Sequence, residues 1–121
     1  MKKTTDQENE TAEIMRRFND VFLCRDPSAL PELIADDCVI ENIRPVPSPR
    51  LVGGVACVER WREVATMPGT RFELEETIVA KDRAIVLWKL HQADGAMQRG
   101  VNIMRVRDGR IVEGLGYAKS R

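Results

Sequence analysis

The sequence predicts an α+β fold, in which helices come first along the chain and an antiparallel sheet follows. In the first half, apolar residues recur three or four positions apart, which is the spacing of one helix face. From Arg71 onward, the pattern changes to strand-length apolar runs separated by short turns. The last turn, Asp108-Gly109, carries a residue pair typical of a two-residue hairpin. These observations together predict helices packed on one face of an antiparallel meander.

Three helices are expected in the first half of the chain. The first begins near Thr11 and presents an apolar face made of Ile14, Phe18, Val21 and Phe22. The second is short, with Asp26 as its cap, Pro27 in its first turn, and an inner face made of Leu30, Leu33 and Ile34. The third opens at Gly53-Gly54 and closes at Pro68-Gly69.

One strand is predicted before the third helix and four after it, at residues 38–43, 71–80, 84–91, 97–107 and 110–118. The segment 44–50 carries three prolines, which remove donors from a strand ladder. It is therefore predicted to be a stiff loop and a candidate rim or lid for a cavity.

The strand segment 84–90 is apolar on both faces, so neither face is expected to meet water. The helices cover only one side of a sheet. The simplest cover for the other side is a second copy of the chain, which predicts a homodimer through the outer sheet face.

Composition limits the classes of protein that fit. The chain of 121 residues predicts one domain over residues 10–119, preceded by a flexible polar tail at 1–9. Lysines and arginines equal aspartates and glutamates, 19 of each, so no overall charge favours nucleic acid or an anionic membrane. No apolar run approaches the roughly 18 residues that a membrane span requires.

A cytoplasmic location and buried, reduced cysteines are expected. Two lysines follow the first methionine without an apolar core after them, so the N-terminus does not read as a secretory signal. The three cysteines lack the C-x-x-C spacing of zinc and redox motifs. One histidine among scattered carboxylates does not predict a metal site, and no cofactor is implied.

Several segments resemble the SnoaL-like and ketosteroid-isomerase-like branch of the nuclear transport factor 2 (NTF2)-like superfamily. They are the first helix, residues 33–41 (LIADDCVIE), the glycine-headed third helix and residues 100–117 (GVNIMRVRDGRIVEGLGY). The resemblance extends over residues 11–118. It implies a cystatin-like cone, in which a strongly curved, mostly antiparallel sheet wraps around three helices and encloses a mostly apolar cavity. It also implies dimerisation through the outer sheet face.

The isomerases of this branch use a tyrosine, an aspartate base and a protonated aspartic acid. Matched onto this sequence, those three positions read Phe18, Asn42 and Asn102. Phenylalanine has no hydroxyl to donate, and an amide is not a Brønsted base near neutral pH. Isomerisation by that machinery is therefore not expected.

A ligand pocket is nevertheless predicted where the two amides meet the helices. The period of two along a strand places Asn42 and Asn102 on faces that would point inward. Apolar walls with a few polar anchors are typical of small-molecule sites, and the predicted lining is Phe18, Asn42, Trp61, Asn102 and Met104. The alternative is that both amides are satisfied by each other, by backbone or by buried water.

Glu113 and His91 are the two candidates for proton transfer. A two-residue turn at Asp108-Gly109 would pair Met104 with Glu113 and point that carboxylate inward, whereas a three-residue loop with a glycine bulge would send it outward. His91 stands at a strand end beside a turn, and could shuttle a proton only if it pointed inward.

Three classes of function remain open. They are binding of a small apolar molecule without turnover, a SnoaL-like enzyme (cyclase, isomerase, dehydratase or epoxide hydrolase) using Glu113, His91 or a polarised water, and a protein-interaction module. An open pocket without a titratable group favours the first class, and an open pocket with a perturbed carboxylate favours the second. A closed, dry interior favours the third.

Overall fold

The helices and strands follow the predicted order in a computed structural model, which describes residues 2–43 and 50–120. Three helices, α1 to α3, span Lys2–Leu23, Leu30–Leu33 and Gly54–Ala65, and a 3₁₀ turn at Pro27–Ala29 precedes α2. Six strands, β1 to β6, span Ile34–Ile43, Leu51–Val52, Arg71–Ala80, Arg83–His91, Met97–Arg107 and Arg110–Ser120.

The six strands form one sheet in the order β2-β1-β6-β5-β4-β3. Every neighbouring pair is antiparallel except β1 and β6, which run parallel. The helices pack against one face of the curved sheet, so the predicted α+β cone is confirmed. No helix within the described ranges is both long and apolar enough to cross a membrane.

The first helix begins earlier than the sequence predicts. Residues 2–9, expected as a polar tail before a helix starting near Thr11, are already helical. The cause is a tertiary contact: the hydroxyl of Thr11 donates to the Lys81 carbonyl oxygen at 2.7 Å, and the Glu8 carboxylate accepts from the Lys81 N–H at 3.1 Å. The turn between β3 and β4 therefore holds the start of α1.

The segment around α2 agrees with the predicted cap but not with the predicted boundary. The Asp26 carboxylate accepts from the Ser28 N–H at 3.0 Å, and Leu30 and Leu33 are fully buried. Ile34, expected on the inner face of this helix, instead begins β1, because it is the residue at which β1 starts to pair with β6. The two-residue β2 was not predicted. The predicted lid at 44–50 lies outside the described residues except for Arg50.

The core lies between α1, α3 and the inner face of the sheet. Its largest contributors are Met15, Phe18, Leu30, Leu33, Trp61, Met104 and Ile111. Each such side chain stabilises the fold by about 1.5–3 kcal/mol when it is removed from water. Cys38 and Cys57 are buried here, and burial raises the pKa of both thiols. Cys24 is exposed, so the prediction that all three cysteines are buried is wrong for this residue.

The closing hairpin decides the direction of Glu113. Asp108 and Gly109 have φ values of 53° and 76°, which suit a two-residue turn, and Val106 pairs with Ile111 beyond it. The register then shifts by one residue, so that Arg105 rather than Met104 faces Glu113. The shift is a β-bulge at Val112. This bulge directs the Glu113 side chain to the outer face. Without the bulge, the two-residue turn at Asp108-Gly109 would have directed it inward.

The outer face of the sheet carries two apolar rows that run across the strands. The registers place Ile78, Ile85, Ile103 and Leu115 in one row, and Leu87, Val101 and Tyr117 in the next. The first row is partly exposed, with 44% of Ile78 and 37% of Ile85 accessible. We call these seven residues the outer apolar face.

Candidate functional site

A partly open cavity of about 440 Å³ lies between α1, α3 and the inner face of the sheet. This volume falls within the roughly 300–1,000 Å³ of small-molecule sites. Its apolar and aromatic lining consists of Phe18, Phe22, Leu23, Ile40, Trp61, Val64, Met67, Phe72, Leu74, Val86, Trp88 and Leu90. Its polar lining includes Asn19, Arg60, Gln92, Gln98 and Asn102.

A chain of aromatic contacts forms much of the cavity wall. Phe18 lies 4.9 Å from Trp61 and 5.0 Å from Phe22, measured between ring centroids. Phe72 continues the chain, 5.4 Å from Phe22 and 5.6 Å from Trp88. All four contacts are edge-to-face, and such pairs contribute about 0.5–1.5 kcal/mol each beyond the area they bury. The wall therefore links α3, α1, β3 and β4, and includes both tryptophans of the chain.

Small residues on the inner face of the sheet make room for these tryptophans. A Cβ atom at Gly114 would lie 2.8 Å from Cζ2 of Trp61, and one at Gly100 would lie 2.0 Å from Cζ2 of Trp88. Gly116 and Ala118 follow Gly114 at a period of two and line the cavity. The hollow therefore persists because this part of the sheet has almost no side chains to fill it.

Asn102 is the polar group on the sheet side of the cavity. Its Oδ1 atom accepts a hydrogen bond from Nε1 of Trp88 at 3.2 Å, and its side chain is half-buried. The Nδ2 group donates to no other described residue. The bond to Trp88 fixes which end of the amide faces the indole, and leaves the N–H donors for a ligand or water.

The other predicted pocket residues are placed as follows. Phe18 and Trp61 line the cavity together with Asn102. Met104 is fully buried in the core behind Gly114 rather than on the cavity surface. Asn42 pairs through its backbone with Gly116, next to Asn102, but its side chain lies outside the described residues.

Neither candidate for proton transfer points into the cavity. Glu113 lies on the outer face, where its Oε1 accepts from Nη1 of Arg83 at 3.1 Å. His91 lies at the end of β4, and its Nε2 is 2.9 Å from Oε1 of Glu73. The hydrogen bond from His91, together with the charge of Lys89, lowers the pKa of the Glu73 carboxyl. Glu73 borders the cavity, but its carboxylate is ionised and engaged by His91.

Arg60 is one of the polar lining residues that the sequence analysis missed, together with Asn19, Glu73, Gln92 and Gln98. It lies on α3 four residues before Val64 and seven before Met67, which follows the end of the helix, and all three border the cavity. That spacing was a signal available in the sequence. The apolar residues Cys57, Trp61 and Val64 recur at helical spacing along this segment, and a charge beside such an apolar face is usually solvated.

No group of three His, Cys, Asp or Glu side chains among the described residues is arranged to hold a metal ion. The polar groups around the cavity are mainly amides, with the Arg60 guanidinium and the Glu73 carboxylate that His91 engages. They can donate and accept hydrogen bonds and attract an anion, but amides do not accept protons at neutral pH.

The sequence pattern of the SnoaL-like domain matches residues 15–114, most of the chain. The chain belongs to the SnoaL-like family. The resemblance drawn from the sequence is thereby confirmed. No curated protein matches this SnoaL-like chain.

Solved structures support the same fold. An NTF2-like protein of unknown function from Mesorhizobium loti is 61% identical, with 94% of each chain covered and a TM-score of 0.90. A steroid delta-isomerase from Pseudomonas aeruginosa is 18% identical over 91% of this chain and 80% of that chain, with a TM-score of 0.77. An LEH-like epoxide hydrolase from M. tuberculosis is 19% identical over 93% and 84%, with a TM-score of 0.73. At such identities the last two share the fold.

The substitution Gly114→Ala tests the contact between β6 and Trp61. The added methyl group would force the indole away from the sheet, so we expect a loss of about 1–3 kcal/mol in the free energy of unfolding and a changed near-ultraviolet circular dichroism spectrum. Glu113→Ala, one residue earlier on the outer face, removes only an ion pair that is one-third exposed, so it should cost less than about 1 kcal/mol. A Gly114→Ala variant as stable as the wild type, with an unchanged spectrum, would contradict the described packing.

Proposed function

We propose that the protein binds a small, mainly apolar molecule in the cavity and does not convert it. The observation that carries this proposal is the lining itself: an aromatic wall, a few amides, and one acidic residue, Glu73, whose carboxylate is bonded to His91. Such a lining favours burial of an apolar body, with hydrogen bonds that fix its orientation.

The other two classes of function have less support. An enzyme of the isomerase type needs a group that takes a proton from its substrate, and Phe18 and Asn102 supply none at the positions that the family uses. The bond from Trp88 also takes one of the two lone pairs of the Asn102 amide oxygen. A protein-interaction module with a filled interior fits poorly with an open cavity of about 440 Å³.

Binding can be tested with N-phenyl-1-naphthylamine (NPN), a neutral apolar probe whose emission rises when it leaves water. We expect saturable binding with a dissociation constant of roughly 100 µM or tighter, from the usual efficiency of a ligand of two to three rings. Excitation of Trp61 and Trp88 should transfer energy to the bound probe, because both indoles line the cavity.

A matched pair of variants on α3 locates the site. Val64→Trp places a bulky side chain in the cavity wall, where it fills part of the space that NPN would occupy. We therefore expect NPN binding to weaken by at least about tenfold. Val55→Trp adds the same side chain at a position that is 84% exposed, and should leave binding unchanged. Equal binding by both variants, or no binding by the wild type, would rule out the cavity as the site.

We also propose that two copies associate through the outer apolar face. Its apolar rows are bordered by ion pairs at both ends. Arg83 pairs with Glu113 at 3.1 Å on one side, and Glu75 pairs with Lys89 and Arg99 at 3.5 and 3.1 Å on the other. Because these charges are already paired within the chain, the apolar rows between them are the part of the sheet face that gains from being covered. Such a face suits an isologous contact, in which both copies bury the same surface.

Sedimentation of an Ile103→Lys variant tests this association. A lysine in the middle of the outer apolar face would be buried without a partner in the dimer, so we expect a dimeric wild type and a monomeric, folded variant. Val55→Lys, at an exposed position outside this face, should remain dimeric. A monomeric wild type at about 100 µM would exclude the dimer as proposed, since a stable interface of standard size binds more tightly than this.

A further inference from the structure

Arg60 is a cation set into the cavity wall. It lies on α3 one turn before Val64, which also lines the cavity, and its side chain is half-buried. A partly desolvated guanidinium is unfavourable unless an anion or several acceptors compensate it. Its position therefore calls for a partner.

The described residues supply no partner for the Arg60 guanidinium. Its N–H groups form no hydrogen bond or ion pair with any of them. Some other arginines of the surface do pair, for example Arg16 with Glu13 at 2.7 Å and Arg107 with Asp37 at 2.9 Å. The acidic residue of the cavity lining, Glu73, is engaged by His91.

The residues outside the described ranges do not change this charge balance. All 19 aspartates and glutamates of the sequence lie at positions whose side chains the structure describes, and none of them pairs with Arg60. The segment 44–49 contains Arg44 and no acidic residue. The cavity lining therefore holds one cation, Arg60, and one acidic residue, Glu73, whose carboxylate is bonded to His91 and not to Arg60.

We infer that the cavity selects an apolar molecule that carries a carboxylate, bound by Arg60, with its apolar body against the aromatic wall. The planar guanidinium matches a carboxylate with two parallel hydrogen bonds, which are stronger than those between neutral groups. The N–H donors of Asn102 serve a second polar atom of the ligand. This inference rests on the proposed function and specifies the chemical class of its ligand.

The test compares decanoate with decan-1-ol, which share a chain length and differ in the charge of the head group. Each is titrated against NPN bound to the whole protein, and the readout is the ratio of the two displacing concentrations. For the wild type we expect decanoate to displace NPN at a concentration about 5 to 20 times lower, from one charge-assisted contact.

Variants of α3 assign the preference to Arg60. Arg60→Gln should lower the ratio by about tenfold, and Arg60→Lys should retain part of it, because a lysine keeps the charge but not the two-pronged geometry. Arg62→Gln removes a cation from an exposed position of the same helix and should leave the ratio unchanged. The use of a ratio within each variant cancels changes in folding or in cavity shape that affect both ligands equally.

The outcomes separate the two proposals. A ratio near one in the wild type, or a ratio that Arg60→Gln does not lower, would overturn the assignment of a carboxylate while leaving NPN binding intact. Failure of NPN to bind the wild type would overturn the proposed function, and this inference with it.

Discussion

The fold depends on the second half of β6, which from Gly114 onward offers almost no side chains to the interior. Along the inner face of β6, Gly114, Gly116 and Ala118 succeed one another, and Gly100 stands on β5 beside them. Two indoles use this space: Trp61 reaches the sheet at Gly114, and Trp88 lies over Gly100. A sheet with ordinary side chains there would have filled the interior. With glycines, the aromatic side chains become walls and a hollow is left between them.

This arrangement also determines what the cavity can do. The indole of Trp88 donates to the oxygen of Asn102 and so orients its amide, while Phe18 contributes a ring without a hydroxyl. Neither group moves a proton near neutral pH. Of the titratable groups that might have done so, Glu113 is paired with Arg83 on the outer face and His91 with Glu73 at the cavity border. The remaining polar groups suit recognition, and the unpaired charge among them is that of Arg60.

The sequence predicted the strands well because their signals are local. The bounds of β3 and β5 agree with the predicted ranges, since each is an apolar or alternating run closed by a turn such as Asp108-Gly109. The start of α1 was wrong because it depends on Thr11 reaching Lys81, a contact between residues 70 positions apart. The direction of Glu113 was left open for a similar reason. The β-bulge at Val112 allows both Ile111 and Val112 to be buried, and the type of turn at Asp108-Gly109 does not predict such a bulge.

The site was only partly predictable. Phe18, Trp61 and Asn102 were found from periodicity together with the family resemblance, and they do meet at one cavity. Arg60 was missed because a charged residue beside an apolar helix stripe usually faces water. The role of Arg60 depends on which residues face it across the cavity and on which carboxylates already have partners. Both are properties of the folded chain.

A crystal structure of the protein grown with NPN would test the central claim most directly, namely that the glycine-lined hollow is a ligand site. The account predicts NPN density between Trp61 and Trp88, within contact of Asn102, on an otherwise unchanged fold. Density for the probe on the outer apolar face alone, with Trp61 or Trp88 turned into the hollow, would contradict it.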